Sequence, residues 1–258
     1  MLDTSRLPID TVATMAKQKF AAFDIDGTLF RSGLYREVSY ELIKMGKIPD
    51  SIAQELNELH RKWRHRLHGN AFEEFEVALV NVFDELSTQI KICDYDEAVR
   101  RVLEKKAENV YVYTRNLIQQ LKQDGYFLIA ISGSQIDLVE PFAKKYGFDA
   151  WVGQEWERGE EFFTGQIKKS HTNKEKFLER LIAENNLILE DSIAVGDSNG
   201  DAGMLSYVKH PIAFNPTAEL YEKAIKNGWR IVVERKTIAY ELTKGRGKNY
   251  SLTNVSLF

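Results

Sequence analysis

The sequence predicts an α/β protein: a doubly wound, mainly parallel, Rossmann-like sheet with an all-helical domain inserted after its first strand. Three observations carry this. An apolar run at residues 19–23 stops abruptly at Asp24-Ile25-Asp26-Gly27-Thr28, and a run ending in carboxylates reads as the C-terminal edge of a buried parallel strand. Residues 34–110 then carry apolar side chains at three- and four-residue spacing, the period of helices. From Tyr111 onward strand and helix patterns alternate, as βαβ units do.

In chain order, Leu34, Val38 and Leu42 define one helix before Gly46; Ile52, Leu56, Leu59, Trp63 and Leu67 define a second, and Phe72, Phe75, Leu79, Val82 and Leu86 a third. Residues 114–123 read as a helix that Gly125 can end, and 126–131 as a strand followed by Ser132-Gly133-Ser134 opening a helix that closes at Gly147. Residues 151–156 and 162–167 read as a hairpin. Thr172-Asn173-Lys174-Glu175 has the form of a capping box. Residues 192–196 form a strand ending at Asp197, 211–214 another, 217–227 a helix and 229–233 the last clear strand. The division expected is a core of residues 1–32 and 111–258 with a helical cap at 33–110. The tail at 235–258 carries no interpretable motif.

Composition narrows the function classes. With 43% hydrophobic and 28% charged residues the chain is an ordinary globular sequence, and no apolar run approaches the roughly 20 residues of a membrane span. Residues 1–19 contain Asp3, Arg6 and Asp10 and lack the apolar stretch of a secretory signal, so a cytoplasmic location is expected. Cys93 is the single cysteine, which excludes an intrachain disulfide and a thiolate metal cluster and reads as a structural residue. A net charge of −3 gives no general field for nucleic acid, and the basic stretches at 61–66 and 244–248 read as solvated faces. Oligomeric state is not readable.

The chemistry lies at three strand ends: Asp24 with Asp26, Ser132, and Asp197 with Asp201. Carboxylates gathered in one crevice repel by about 4 kcal/mol per pair some 4 Å apart at an effective dielectric near 20. A divalent cation relieves that repulsion, and oxygen donors without clustered His or Cys favour a hard ion such as Mg²⁺. A calcium-binding EF-hand loop would need Gly and Glu where the chain has Leu29 and Tyr35. Alternatives remain open on the residues alone. Asp26-Gly27 could turn a hairpin, Asp197 and Asp201 could be a loop and N-cap pair, and Ser132 could be a plain N-cap.

The Asp24-Ile25-Asp26-Gly27-Thr28 segment resembles the DxDGT first motif of the haloacid dehalogenase superfamily. Ser132 resembles its second motif, Lys174 its third, and Gly196-Asp197-Ser198-Asn199-Gly200-Asp201 its fourth, GDxxxD. All four occur in order across about residues 20–233, most like the phosphoserine-phosphatase-like branch with a helical cap. The resemblance implies a Mg²⁺-dependent hydrolase of a small phosphomonoester acting through an aspartyl-phosphate. Asp24 would be the nucleophile, ionised at neutral pH with its ordinary pKa near 3.9, and Asp26 the proton donor and later the base. Mg²⁺ would be held by the Asp24 side chain, the Asp26 carbonyl and Asp197, with Asp201 as a further ligand or a support behind one. Thr28, Ser132, the amides of Gly133 and Ser134, and Lys174 would hold the phosphate. Lys168 and Lys169 are rivals of Lys174 on proximity alone.

The same intermediate would serve a phosphotransferase or mutase; a noncatalytic phosphate-binding module would be expected to have lost one of these residues. Phosphoserine phosphatases carry an acidic residue shortly after the first motif. This chain instead reads Leu29-Phe30-Arg31-Ser32-Gly33-Leu34, so phosphoserine itself is not expected, and Arg31 is equally suited to an anionic leaving group or to solvent. Trp63, Phe72 and Phe75 read as cap core, and His60, His65 and His68 as packing or surface residues.

Overall fold

The computed structural model describes residues 17–69, 71–169, 173–245 and 249–258. Residues 1–16, Thr172 of the expected capping box, and Arg246 and Lys248 of the basic stretch lie outside the described residues.

Strand β1 (Gln18–Phe23) is central, and its last four residues are wholly buried. Alternation splits them between the two faces of the sheet. Phe20 and Ala22 join a core with Ile129, Leu178 and Met204, while Ala21 and Phe23 join one with Leu128, Phe142 and Phe214. The chain then leaves the sheet for α1 (Leu34–Lys44), α2 (Asp50–Arg64), α3 (Ala71–Leu86) and α4 (Ile92–Lys106). It returns through α5 (Val112–Gln123) to β2 (Phe127–Gln135), α6 (Ile136–Tyr146) and the antiparallel hairpin of β3 (Ala150–Arg158) and β4 (Phe163–Lys168). Helix α7 (Lys174–Glu184), β5 (Leu187–Gly196), α8 (Ala202–Tyr207), β6 (His210–Phe214), α9 (Ala218–Asn227) and β7 (Arg230–Arg235) complete the alternation.

The nine strands lie in the order β4-β3-β2-β1-β5-β6-β7-β8-β9, with the six from β3 through β7 paired in parallel. From β1 the chain winds outward first to one side, through β2 and β3, and later to the other, through β5, β6 and β7. The strand order therefore reverses at β1 and β5. Open α/β sheets bind their ligands at such a reversal, beyond the C-terminal ends of the strands, and this is where Asp24 and Asp197 follow their strands. Among the described residues, no helix is long and apolar enough to cross a membrane.

The structure departs from the sequence expectation in four places. Strand β2 runs through Ser132, Gly133 and Ser134 to Gln135, so the helix opens at Ile136, because those residues stay extended beside β3 with a shift in register. Helix α7 is capped by Asn173, whose side chain makes no cap hydrogen bond. Cys93 is exposed in the first turn of α4, so it is not part of the buried core it was expected to support. The tail folds as β8 (Ile238–Lys244) and β9 (Tyr250–Leu257), antiparallel additions to β7. Its alternation was hard to read because β9 lies at an edge and is mostly exposed.

Tyr250 fastens this tail: its hydroxyl lies 2.8 Å from the carbonyl oxygens of Ala224 and Trp229. Tyr250→Phe removes the donor and should lower unfolding stability by about 0.5–1.5 kcal/mol. A urea melt with an unchanged midpoint would show that the tail does not depend on this anchor.

Candidate functional site

Four chain segments meet at the strand-order reversal. Asp24 leaves β1 with its amide donating to the Val195 carbonyl of β5 at 2.9 Å, which brings the first and fourth motifs side by side. Gly27 follows at φ +81°, a conformation that costs glycine little. A Cβ there would stand 2.1 Å from Asp197 Oδ2, so the Asp197 carboxylate packs directly on the Gly27 backbone. Asp24, Asp197 and Asp201 each offer a carboxylate oxygen, and the three atoms lie within 4.8 Å of one another.

Lys174, in the first turn of α7, is the counter-charge. Its ammonium donates to Asp24 Oδ1 at 2.5 Å and to Asp201 Oδ1 at 2.7 Å, and all three residues are buried. Asp201 spends its other oxygen on the amides of Asp197 and Ser198 at 3.1 and 3.0 Å and on the Ser198 hydroxyl at 3.1 Å. It thus braces the fourth-motif loop. As the N-cap alternative had it, Asp201 stands at the N-cap position of α8, though without a side-chain cap hydrogen bond; its carboxylate instead completes a capping box with Ser198 on the turn before that helix.

Burial pushes the Asp24 carboxyl up to about 8; Lys174 opposes the rise, and the charges of Asp201 and Asp26 add to it. Asp197 is also driven well above the usual carboxylate range, by burial and then by Asp24 and Asp201. Burial alone would depress the Lys174 ammonium, but the attraction of Asp201 and Asp24 more than reverses it. In the ion-free chain, burial thus takes Asp24 away from the ordinary pKa expected of it. In this crevice the carboxylates share too much negative charge for one lysine to balance. Asp24 Oδ2 is buried without a hydrogen-bond partner, which fits an all-oxygen donor set suited to a hard divalent cation.

Asp26 turns away from that cluster toward β2. Its Oδ2 accepts from the hydroxyls of Ser132 at 2.6 Å and Ser134 at 2.8 Å, and its Oδ1 from the amide of Leu34 at the start of α1. Two carboxylates two positions apart in a tight turn are thus held in different settings.

The model of the haloacid dehalogenase-like hydrolases matches residues 21–206, well over half of the chain. The chain belongs to this family. Among curated proteins it is similar to the histidinol-phosphatase of Neisseria meningitidis serogroup C, 25% identical over 83% of this chain and 98% of the relative. It is also similar to the phosphoserine phosphatase of Methanocaldococcus jannaschii, 23% identical over 81% of this chain and 90% of the relative. Among solved structures, a phospho-aspartyl intermediate analogue of phosphoserine phosphatase shares the fold at TM-score 0.60 and 22% identity, covering 85% of this chain and 95% of that one. A protein of unknown function from Bordetella pertussis Tohama I does so at TM-score 0.64 and 18% identity, covering 83% and 98%.

In this haloacid dehalogenase-like hydrolase, the motif residues named from sequence converge on one crevice. Thr28 is wholly buried with its hydroxyl unpartnered, while its carbonyl accepts from Thr114 at 2.9 Å. The Ser134 amide donates to Ser132 Oγ at 2.9 Å. The expected phosphate cradle at a helix N-terminus is corrected accordingly, since these amides belong to an extended strand end. Lys168 pairs with Glu155 and Lys169 with Asp84, away from the carboxylates. Arg31 is exposed, 5.4 Å from the Tyr111 ring centre. Trp63 packs against both Phe72 and Phe75, with His60 beside Phe75; the reading of all three as cap core holds for Phe75, which is buried, while Trp63 is half-buried and Phe72 is exposed. His68 reaches Glu74 at 3.4 Å.

Sequence reasoning missed the Ser134 hydroxyl and the pair formed by Arg36 of α1 and Glu76 of α3. Burial raises the Glu76 carboxyl, Arg36 opposes, and the Asp26 charge adds to the rise, so Glu76 feels the crevice from the helical side. Only proximity in space, not spacing in sequence, could reveal that pair.

Lys174→Met should destabilise the ion-free protein by about 3–5 kcal/mol at pH 8.5, since it strands buried carboxylates without their partner. The loss should be smaller at pH 6. The folded Asp24 carboxyl, already at about 8, would rise further, so the folded variant binds more protons than the unfolded chain and loses stability as pH climbs through that window. Urea midpoints in chelator at the two pH values measure this, and equal losses at both would contradict the coupling.

Proposed function

We propose that this chain hydrolyses a small phosphomonoester through an aspartyl-phosphate on Asp24, with a bound divalent cation, Mg²⁺ by its oxygen chemistry. The observation that carries the reading is the Asp24–Lys174–Asp201 bridge closed over by Asp197, with Asp26 held apart from it. The names of the relatives, phosphatases of phosphoserine and histidinol phosphate, support the reaction class.

Asp24, Asp197 and the Asp26 carbonyl would hold the cation, with Asp201 bracing the loop from behind. When bound, the cation would neutralise carboxylate charge and polarise the phosphoryl oxygens. The chain's own groups do the rest. An Asp24 carboxylate oxygen attacks phosphorus, and the bond from phosphorus to the ester oxygen breaks. Lys174 balances charge on the transferred group, and the buried, unpartnered Thr28 hydroxyl would donate to a phosphoryl oxygen, as would Ser132 once its hydroxyl turns from Asp26. Asp26 gives its proton to the departing alkoxide, then takes one from the water that attacks the phosphoaspartate, which restores both aspartates and releases phosphate. Ser132, Ser134 and the Leu34 amide aim the Asp26 carboxyl for both transfers. Residues 33–110 would act as the cap, shielding the phosphoaspartate from bulk water, and residues 1–32 and 111–258 as the catalytic core.

Asp24→Asn should abolish turnover of an aryl phosphate, by about a thousandfold or more, with the fold retained by circular dichroism. Wild-type rates from that variant would refute the assigned nucleophile. Chelation should stop turnover reversibly, with Mg²⁺ restoring it. Because cation binding competes with protons on Asp24, at about 8, and on Asp197, held well above the usual carboxylate range, apparent Mg²⁺ affinity should rise with pH from 6 to 8. Titration calorimetry between pH 6 and 9 would show this, and a flat profile would exclude the competition.

A further inference from the structure

Beside the carboxylate crevice, above the ends of β2 and β3, lies a second group of polar side chains that the chemistry just described does not use. Tyr35 Oη and Gln154 Nε2 each donate to Asp84 Oδ1 at 2.9 Å, and Lys169 Nζ lies 2.9 Å from Asp84 Oδ2. Gln135 and Gln154 are register partners across β2 and β3, and both are wholly buried. The Gln135 amide approaches the Tyr35 hydroxyl, yet neither of its polar atoms makes a hydrogen bond, nor does the Gln154 carbonyl. Buried side-chain amides are ordinarily paired. Two amides with unpaired atoms, in register at the ligand-binding edge of a sheet, are therefore set for a molecule that is not part of the protein.

The group is joined to the reacting centre by one side chain. Ser134 precedes Gln135, donates its hydroxyl to Asp26 Oδ2 at 2.8 Å and accepts the Tyr35 amide at 2.8 Å. In the phosphatase reading, on which the subsite assignment rests, Asp26 protonates the departing oxygen. The departing alcohol accordingly lies on the Asp26 side, toward Ser134, Tyr35 and the two glutamines.

We infer that Gln135 and Gln154, anchored through Asp84, form the leaving-group subsite and select an alcohol carrying further hydrogen-bond donors, hydroxyl or amine. The unpaired atoms are two carbonyl oxygens and one amide nitrogen, so acceptors outnumber donor groups. An alkyl leaving group would leave these acceptors buried without partners. A site built to bond a substrate's polar group rejects the analogue lacking it more strongly than an apolar pocket rejects a wrong shape.

The test uses the full chain with Mg²⁺ and two matched pairs of esters: glycerol 3-phosphate against propyl phosphate, and phosphoethanolamine against ethyl phosphate. In the wild type, kcat/KM for the donor-bearing ester should exceed that of its partner about tenfold or more in at least one pair; the pair that discriminates tells hydroxyl from amine. Gln135→Leu and Gln154→Leu should each shrink that ratio at least about fivefold. Wild-type ratios near one in both pairs would overturn the inference even if a leucine variant fails to fold, as would a ratio that survives both substitutions. Turnover of the aryl phosphate with none of the four esters hydrolysed would overturn the subsite alone, whereas no turnover of any ester would sink the phosphatase reading and the subsite with it.

Discussion

One buried ammonium holds this site together. Lys174 touches two aspartates from different segments, Asp24 at the end of β1 and Asp201 beyond β5, while Asp197 crowds the same space. Three acids against one base in a desolvated crevice leave an excess of negative charge. Asp24 and Asp197 respond by holding protons more tightly than usual. A polar arrangement of this kind is a poor way to stabilise a fold, because the desolvation of each charge offsets much of the attraction between them. Its sense is functional: the crevice is strained electrostatically in just the way that a cation and a phosphoryl group would relieve.

The sheet makes that strain possible by supplying rigid neighbours. Strands β1 and β5 are hydrogen-bonded and buried along their C-terminal halves, so the two aspartates that follow them cannot move apart. On the other side, β2 carries its extended backbone four residues past Ile131. That extra length delivers Ser132 and Ser134 to Asp26 and continues to Gln135, next to the helices inserted after β1. The separation of Asp24 from Asp26, two residues apart in a turn, arises because one faces β5 and α7 while the other faces β2 and α1.

Much of this was legible in the sequence, and the reasons are local. Carboxylates closing an apolar run, at residues 24 and 197, marked strand ends because a buried strand has no other reason to stop on charge. The period of residues 34–110 identified helices because one face of each is buried. What could not be read depends on the other partner. Whether Ser132 begins a helix or ends a strand is decided by β3 beside it, and the acidity of Asp24 by side chains distant in sequence. The tail escaped notice because an edge strand with both faces largely solvated carries little hydrophobic alternation. Arg36 and Glu76, 40 residues apart, meet only through the packing of α1 on α3, whereas Arg31, more conspicuous in sequence, points to solvent.

The two motif loops interlock at a clearance set by hydrogen atoms. A methyl group at Gly27 would strike Asp197, and one at Gly196 would sit 2.5 Å from Asp201 Cβ. A side chain added at either glycine therefore displaces an acid of the fourth motif, Asp197 from the facing loop or Asp201 from within its own. Libraries meant to redirect this scaffold toward new esters should hold both glycines constant and place their diversity in helix positions that do not touch the aspartates, leaving Leu34 and Lys174 unchanged.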